Sequence, residues 1–379
     1  MLWLRRNLLF LLPLLAFFIA LWTIPAAWCR RGAGEWFGGD LATQQQLART
    51  VARQILDGPT HDTFKTGIKR FDGEWLFGTN LMAGIGFCQL VLQHPETRAE
   101  WTPQIESCIR RLLTKDVQEF DRAAWEEGPI ESLDQPQGHA AYLGYFNFLL
   151  SLYRQIDPAN EFAALNDQIT ATLIRRYESS PSGLIATYPN EWYPVDNAPG
   201  LASIAITGRA TGRDYSAFLK KAEDSFRQHY VNAKSGLIIQ AVNAKGLPSD
   251  QPRGSGSALG TFFLYHAFPD LGREIYAGIQ RSLETGLFGF GAIREYPHGE
   301  SGVWDIDSGP VIFGFGFSAT GFTIGPARAY GDEALYARLF SSAVFAGAPS
   351  YRGGDLDFLT GGPLGNAILF AMLTTAPLP

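Results

Sequence analysis

The pattern of apolar and polar positions divides the chain near residue 31. From Leu8 to Cys29 runs a 22-residue stretch interrupted only by Pro13, Thr23 and Pro25. As a helix it would extend about 33 Å, enough to cross a hydrocarbon core of about 30 Å. Arg5 and Arg6 precede it and Arg30 and Arg31 follow, so the flanking charges nearly balance and orientation rests on likeness to a signal anchor. That likeness predicts a membrane anchor, residues 1–31, with the body (32–379) on the extracytoplasmic, periplasmic side. A cleaved signal peptide is the alternative: Ala26 and Ala27 are small enough for a cleavage point, but the apolar run is long for one. Cys29 lacks the small-residue context of a lipidated cysteine.

Beyond Asp40 the periodic segments have helical length, and twelve are predicted: about 41–57, 77–93, 101–115, 138–155, 159–177, 197–210, 213–230, 255–268, 270–285, 310–330, 332–345 and 363–375. Two classes alternate. The even ones are almost free of charge, as in Phe77 to Gln93 or Pro363 to Thr375, which is the signature of burial on every side. The odd ones are amphipathic: Tyr215, Phe218, Leu219, Ala222 and Phe226 form a stripe between Lys220, Lys221, Glu223, Asp224 and Arg227. Links after even helices are short, as at Asp157-Pro158 and Pro269-Asp270, while those after odd helices run to 15–25 residues. Short links make antiparallel neighbours. Six hairpins with an apolar inner ring, an amphipathic outer ring and all long loops on one face describe an all-α (α/α)6 toroid. Gly314, Gly316, Gly321 and Gly325 are expected to serve close packing of inner helices.

Composition narrows the function. The chain carries 31 Lys+Arg against 37 Asp+Glu; the first 31 residues hold four arginines and no acid, so the body is decidedly acidic. A nucleic-acid binder that tracks phosphates should be basic, so no nucleic-acid partner is expected. Three cysteines are too few for a disulfide scaffold. Cys88 and Cys108 can meet across one hairpin, with two buried free thiols expected rather than a bond. The sequence has no GxSxG elbow, HExxH, P-loop or dinucleotide fingerprint.

The long loops lead into the inner helices, whose N-termini therefore point at the mouth, where free amides and the helix dipole favour anions. There the unusual residues gather: Asp72, Glu74 and Trp75 before the second helix; Trp125, Glu127 and then His139 before the fourth; Glu191, Trp192, Tyr193, Asp196 and Asn197 before the sixth; and later Arg253, Ser255, Arg294-Glu295-Tyr296, Trp304, Asp305 and Asp307. Carboxylates interleaved with Trp and Tyr suit a polyhydroxylated or partly apolar substrate and acid/base chemistry. Each residue also has a plainer role: Asp196, Asp307 and Ser255 as N-caps, His139 as a satisfied structural histidine, Arg253 as the partner of a loop carboxylate, the tryptophans as loop plugs. Asp305 and Asp307 at i and i+2 are too common a pattern to imply a metal, and no metal or other cofactor is expected.

Trp125-Glu126-Glu127, Gly128-Pro129-Ile130-Glu131, Gly138-His139, the run from Tyr188-Pro189-Asn190-Glu191-Trp192 to Tyr193-Pro194-Val195-Asp196-Asn197, Gly212-Arg213-Asp214-Tyr215 and Asp305-Ile306-Asp307-Ser308-Gly309 occur in an order that resembles linalool dehydratase/isomerase, over about residues 120–345. The resemblance implies an (α/α)6 enzyme. It sets His139 on the family's active-site histidine, Thr187 and Asp196 on its two active-site cysteines, and Asp72 or Glu74 near its N-terminal catalytic aspartate. The cysteine pair is thus absent here. The expectation is a membrane-anchored acid/base lyase or isomerase that dehydrates, hydrates or isomerises an alcohol, with His139 and Asp196 as a proton-transfer pair and Glu191 or Asp307 as the second acid. The alternatives are a glycan-active toroid, hydrolase or lyase, acting on a carbohydrate, and a non-catalytic binding toroid whose mouth is filled by Trp192 and Trp304.

Overall fold

The computed structural model describes residues 2–306 and 308–378, with side chains from Leu12 onward except at Trp22. The expected toroid is present. After α1 (Leu2–Cys29) and the short α2 (Ala33–Gly38) come α3 (Leu41–Leu56), α4 (Lys69–Gln93), α5 (Arg98–Leu112), α6 (Lys115–Trp125), α7 (Ala140–Ile156), α8 (Ala163–Ser179), α9 (Pro194–Thr211), α10 (Ser216–His229), α11 (Gly254–Leu264) and α12 (Pro269–Leu283). Two hairpins follow, β1 (Glu284–Leu287) with β2 (Phe290–Ile293) and β3 (Val311–Ile312) with β4 (Phe315–Gly316), then α13 (Phe317–Ala329) and α14 (Glu333–Gly347). A third hairpin, β5 (Pro349–Arg352) with β6 (Asp355–Phe358), leads into α15 (Gly362–Leu373).

The nearly uncharged helices α4, α7, α9, α11, α13 and α15 form the inner ring: each packs on the next, and α15 packs back on α4. Close approach needs small residues. A Cβ on Gly86 would lie 2.3 Å from the ring of Phe370, and one on Gly144 would lie 3.2 Å from the Gly200 backbone, so α4–α15 and α7–α9 pack at glycine distance. Phenylalanines fill the remaining space, as where Phe148 meets Phe263 edge-on at 4.9 Å. One polar knot interrupts this core. Asn147 Nδ2 donates to Ser203 Oγ (2.8 Å) and Asn166 Nδ2 to Asn147 Oδ1 (2.9 Å), joining α7, α8 and α9 with every hydrogen bond internal.

The ring is locked on the face away from the mouth by Arg328, 1% exposed. From the end of α13 its guanidinium donates to Leu373 O (3.1 Å), Thr375 O (2.7 Å), Phe37 O (3.1 Å) and Gln93 Oε1 (3.0 Å), which belong to the ends of α15, α2 and α4. Gln93 Nε2 in turn donates to Thr374 O at 2.6 Å.

Several expectations shift at the mouth. The segment 115–125 is a helix of its own inside a long link, because Val117, Phe120 and Asp121 form one buried face. The 310–330 segment becomes helical only at Phe317, because Phe313-Gly314 makes a two-residue turn. Gly314 therefore supplies a positive φ of 85° rather than helix packing, and Gly316 abuts Glu295. Gly325, by contrast, packs against Phe262 and Met372 as expected, while nothing lies near the Cβ direction of Gly321. Asp196 and Ser255 sit inside the first turns of α9 and α11 rather than at the caps. Cys88 and Cys108 are buried free thiols; burial raises both, Cys108 to about 12.

Among the described residues two helical runs are long and apolar enough to cross a membrane: Leu12–Gly38, whose most apolar stretch is largely exposed, and Lys69–Gln93, which is the buried inner helix α4.

Arg328→Met would take its donor from two buried and two partly buried acceptors. A loss of about 3 kcal/mol or more is expected, measured as a lower urea midpoint for the purified chain.

Candidate functional site

The inner-helix N-termini bring three groups of polar residues to the mouth. In the first, Glu74 stands on the second turn of α4 and Asp196 on the first turn of α9, flanking α7 in the ring. Each meets a phenol. Tyr188 Oη donates to Glu74 Oε1 at 2.5 Å, and Tyr145 Oη donates to Asp196 Oδ1 at 2.8 Å. Burial, then Glu74, then Asp121 and Asp196 hold the Tyr188 hydroxyl well above the ordinary tyrosine range. Tyr188 therefore remains a proton donor at any physiological pH, and the same charges mark Glu74, Asp121 and Asp196 as neighbours of one phenol.

Behind these lies a closed pair. His139 Nδ1 and Asp121 Oδ2 are 2.5 Å apart, with both side chains fully buried. The Trp125 ring covers His139 at 4.9 Å. His139 Nε2 and Asp121 Oδ1 have no hydrogen-bond partner among the described residues. Burial raises the Asp121 carboxyl, opposed by His139, Arg176 and Arg122.

The backbone that presents His139 is constrained: its φ is 54°, a left-handed value uncommon outside glycine, and the preceding Gly138 lies so close to Ala186 that a Cβ would fall 2.2 Å from its carbonyl oxygen. Arg176 of α8 holds this segment in place, donating to Gly138 O (2.9 Å) and Ser132 O (2.6 Å). Burial lowers its guanidinium to about 10, so it stays cationic at neutral pH and offsets Asp121.

The third group lies where α11 begins. Ser255 Oγ and N donate to Glu295 Oε1 (2.6 Å) and Oε2 (3.1 Å), so Glu295 satisfies amides that the helix leaves free. Glu295 is fully buried, and desolvation pushes it up to about 7 against the pull of Ser255 and Arg253. Beside it Arg253 binds Asp305 and also Asp250 (2.8 Å).

Most of the remaining residues expected at the site have structural partners. His139 is bonded to Asp121 and not to Asp196, so the expected pair is corrected: α6, unrecognised in the sequence, delivers a closer carboxyl. Asp72 accepts from Thr66 N (2.9 Å) and Oγ1 (2.8 Å), stapling its loop. Trp75 packs edge-on against Phe64 at 6.1 Å. Thr187 is buried, its Oγ1 accepting from Tyr193 N at 3.4 Å. The Asn197 side chain pairs with Ile185 N and O and with Tyr193 O. Tyr193 Oη donates to Glu191 Oε2 at 3.1 Å, and Trp192 is tied through its backbone to Val242. Glu127, half-buried, acts electrostatically on Arg176. Tyr296 donates to Val303 O at 2.7 Å, and Asp305 accepts from Ser308 N at 3.0 Å. Trp304 is 62% exposed and does not plug the mouth. Asp307 lies outside the described residues.

Asp121, Tyr145 and Arg176 were not singled out from sequence, and Glu295 only as one of a segment at the mouth. Two of them carry a signal: Asp121 falls on the apolar stripe of Val117 and Phe120, and Arg176 on that of Ile169 and Leu173, where a charge needs a partner.

No protein-family model and no curated protein matches the sequence. Solved structures do. A GH76 α-mannanase of Bacteroides thetaiotaomicron aligns with a TM-score of 0.49 at 12% identity, over 79% of this chain and 85% of that one. The GH76 α-1,6-mannanase of Salegentibacter sp. HEL1_6, an inactive variant with two adjacent aspartates changed to alanine and in complex with α-1,6-mannotetrose, aligns with a TM-score of 0.54 at 13% identity, over 88% of this chain and 99% of that one. The second likeness supports the (α/α)6 toroid.

Glu295 links the site to pH. Between its ordinary value of 4.5 and about 7, the folded chain keeps a proton that the unfolded chain has lost. Its contribution is thus greatest below pH 4.5 and falls as pH rises through 7, by about 3 kcal/mol. Melting temperatures across pH 4 to 8 should decline more steeply for the native chain than for Glu295→Gln.

Proposed function

We propose that this chain is a glycan-active enzyme that cleaves a glycosidic bond by acid/base chemistry in the toroid mouth, carried at a membrane by α1. The observation that carries the reading is the pair of half-buried carboxyls, Glu74 and Asp196, on sectors either side of α7, each hydrogen-bonded to a phenol. Glycoside cleavage needs two such groups, one to protonate the leaving oxygen and one to attack or to activate water. Asp196 suits the second task. The α9 dipole and the Tyr145 hydroxyl both favour its ionised form. The first task falls to Glu74, the other carboxyl of the pair, beside the Tyr188 hydroxyl that burial keeps protonated. Trp75, Trp192 and the exposed Trp304 supply flat surfaces of the kind that sugar rings stack on. The toroid shared with a mannotetrose-binding mannanase adds support for the class of substrate. Mannan itself is not implied, because this sequence contains no two adjacent aspartates.

A second reading, dehydration or isomerisation of an alcohol as in linalool dehydratase/isomerase, is favoured by one observation: His139 Nε2 and Asp121 Oδ1 are buried and unpartnered among the described residues. A dry proton-transfer pair is more than the half-buried Glu74 and Asp196 require.

Reducing-end release from a panel of α- and β-linked oligosaccharides, run beside product analysis with terpene alcohols, separates the two. Asp196→Asn and Glu74→Gln should each lower kcat for glycan cleavage at least ~100-fold with an unchanged melting temperature, while Asp121→Asn leaves it within several-fold. Retention of a tenth of the activity in Asp196→Asn would sink the assignment. Alcohol turnover lost in Asp121→Asn would instead establish the second reading.

A further inference from the structure

The three hairpins have the same two-residue connection but not the same chemistry. At each tip both central residues have positive φ: Phe288-Gly289 (56° and 85°), Phe313-Gly314 (53° and 85°) and Gly353-Gly354 (62° and 88°). Such turns call for Asn, Asp or Gly, and the third hairpin complies. The first two place phenylalanine where its Cβ clashes with the backbone. Their sequences repeat: Leu287-Phe288-Gly289-Phe290-Gly291 and Ile312-Phe313-Gly314-Phe315-Gly316. Nor does burial account for the choice. Phe313 is 87% exposed, Ile312 49%, Leu287 48% and Phe288 39%. Leu287 of the first motif and Ile312 and Phe313 of the second thus stand open to water, and both turns carry the strain of a phenylalanine, which folding alone does not explain.

Their location supplies a reason. The two hairpins lie side by side, with Arg294 just after β2 paired to Phe315 of β4. The first tip also touches the last turn of α1: Arg30 Nη2 donates to Gly289 O, and a Cβ on Gly289 would be 3.2 Å from that of Ala26. Along α14 the levels can be read off. Phe37 of α2 meets Tyr336 edge-on near its start, whereas Phe290 beside the tip packs on Phe345 near its end, the end from which the chain enters β5 on the mouth side. Traced from α2 back into α1, the chain therefore climbs toward the mouth. The exposed apolar length of α1, with Phe17, Phe18 and Leu21 all more than half exposed, leaves from the same margin as the Phe-Gly tips.

We infer that the two Phe-Gly hairpin tips are bilayer contacts, dipping Leu287, Phe288, Ile312 and Phe313 into the lipid headgroup region so that the toroid rests on the membrane beside α1. The inference rests on the membrane placement of α1 proposed above. Aromatic and aliphatic side chains on a rigid two-residue turn lose little freedom on insertion, and the interface is where rings of this kind are favoured. The partner is a lipid surface because the patch is continuous with an apolar helix of membrane-spanning length.

The test uses the full chain in vesicles of phosphatidylcholine and phosphatidylglycerol. With Cys29→Ser as background and Cys88 and Cys108 buried, nitroxides are placed by Phe288→Cys, Phe313→Cys, Phe17→Cys within α1, and Glu333→Cys at the far end of the toroid. Labels at 288 and 313 should collide more with lipid-soluble oxygen than with an aqueous nickel chelate, with the reverse at 333. A lipid-facing label at 17 with an aqueous one at 313 overturns the inference and leaves the anchor standing. An aqueous label at 17 removes the anchor and the inference together. Independently, Phe313→Asn should melt at the same or a higher temperature, since Asn suits the turn. A fall of more than about 5 °C would assign that ring to the fold and overturn the inference.

Discussion

Closure of the inner ring is the constraint on which everything else depends. Six helices buried on all sides can hide their apolar faces only if the last packs on the first, and α15 meets α4 at glycine distance. With Gln93 and Arg328 holding that seam at one end, the short links are confined there and the long ones to the other. The six free N-termini then point the same way. The mouth is acidic because helix amides tolerate carboxyl groups there, and its chemistry is a by-product of how the ring must close.

Much of this was legible in the sequence. Charge-free inner segments against amphipathic outer ones, and short links alternating with long ones, are period and length signals that survive without knowledge of any contact. The site was legible to a lesser degree. Glu74, Asp196 and His139 were placed at the mouth, but their partners were not, because pairing is set by three-dimensional proximity between links. Asp121 reaches His139 from α6, and Tyr188 reaches Glu74 across 114 residues of chain. The loop 284–316 misled for another reason: its strands are two to four residues long, below the length at which alternation can be told from helix.

The three polar groups at the mouth differ in what water can reach, and that sorts their roles. Glu74 and Asp196 are half-buried and phenol-bonded, a state that still leaves a carboxyl within reach of a substrate. Glu295 is sealed and occupied with the start of α11. The His139–Asp121 pair is sealed yet incompletely bonded, held in left-handed backbone by Arg176. A buried polar group without a full set of partners is costly, and this pair leaves two such atoms, one on each residue.

The seam between α4 and α15 also bears on how the chain comes to be folded. Gln93 and Thr374 are 281 residues apart, so the contact that completes the ring is among the most distant in sequence. Until α15 arrives, the flanks of α4 and α13 that it covers are open apolar surfaces, on a ribosome or beyond one. Such a topology folds slowly and exposes sticky intermediates. Changes in the last helix should therefore be felt first in yield and in the need for chaperones, before any effect on the chemistry of the mouth.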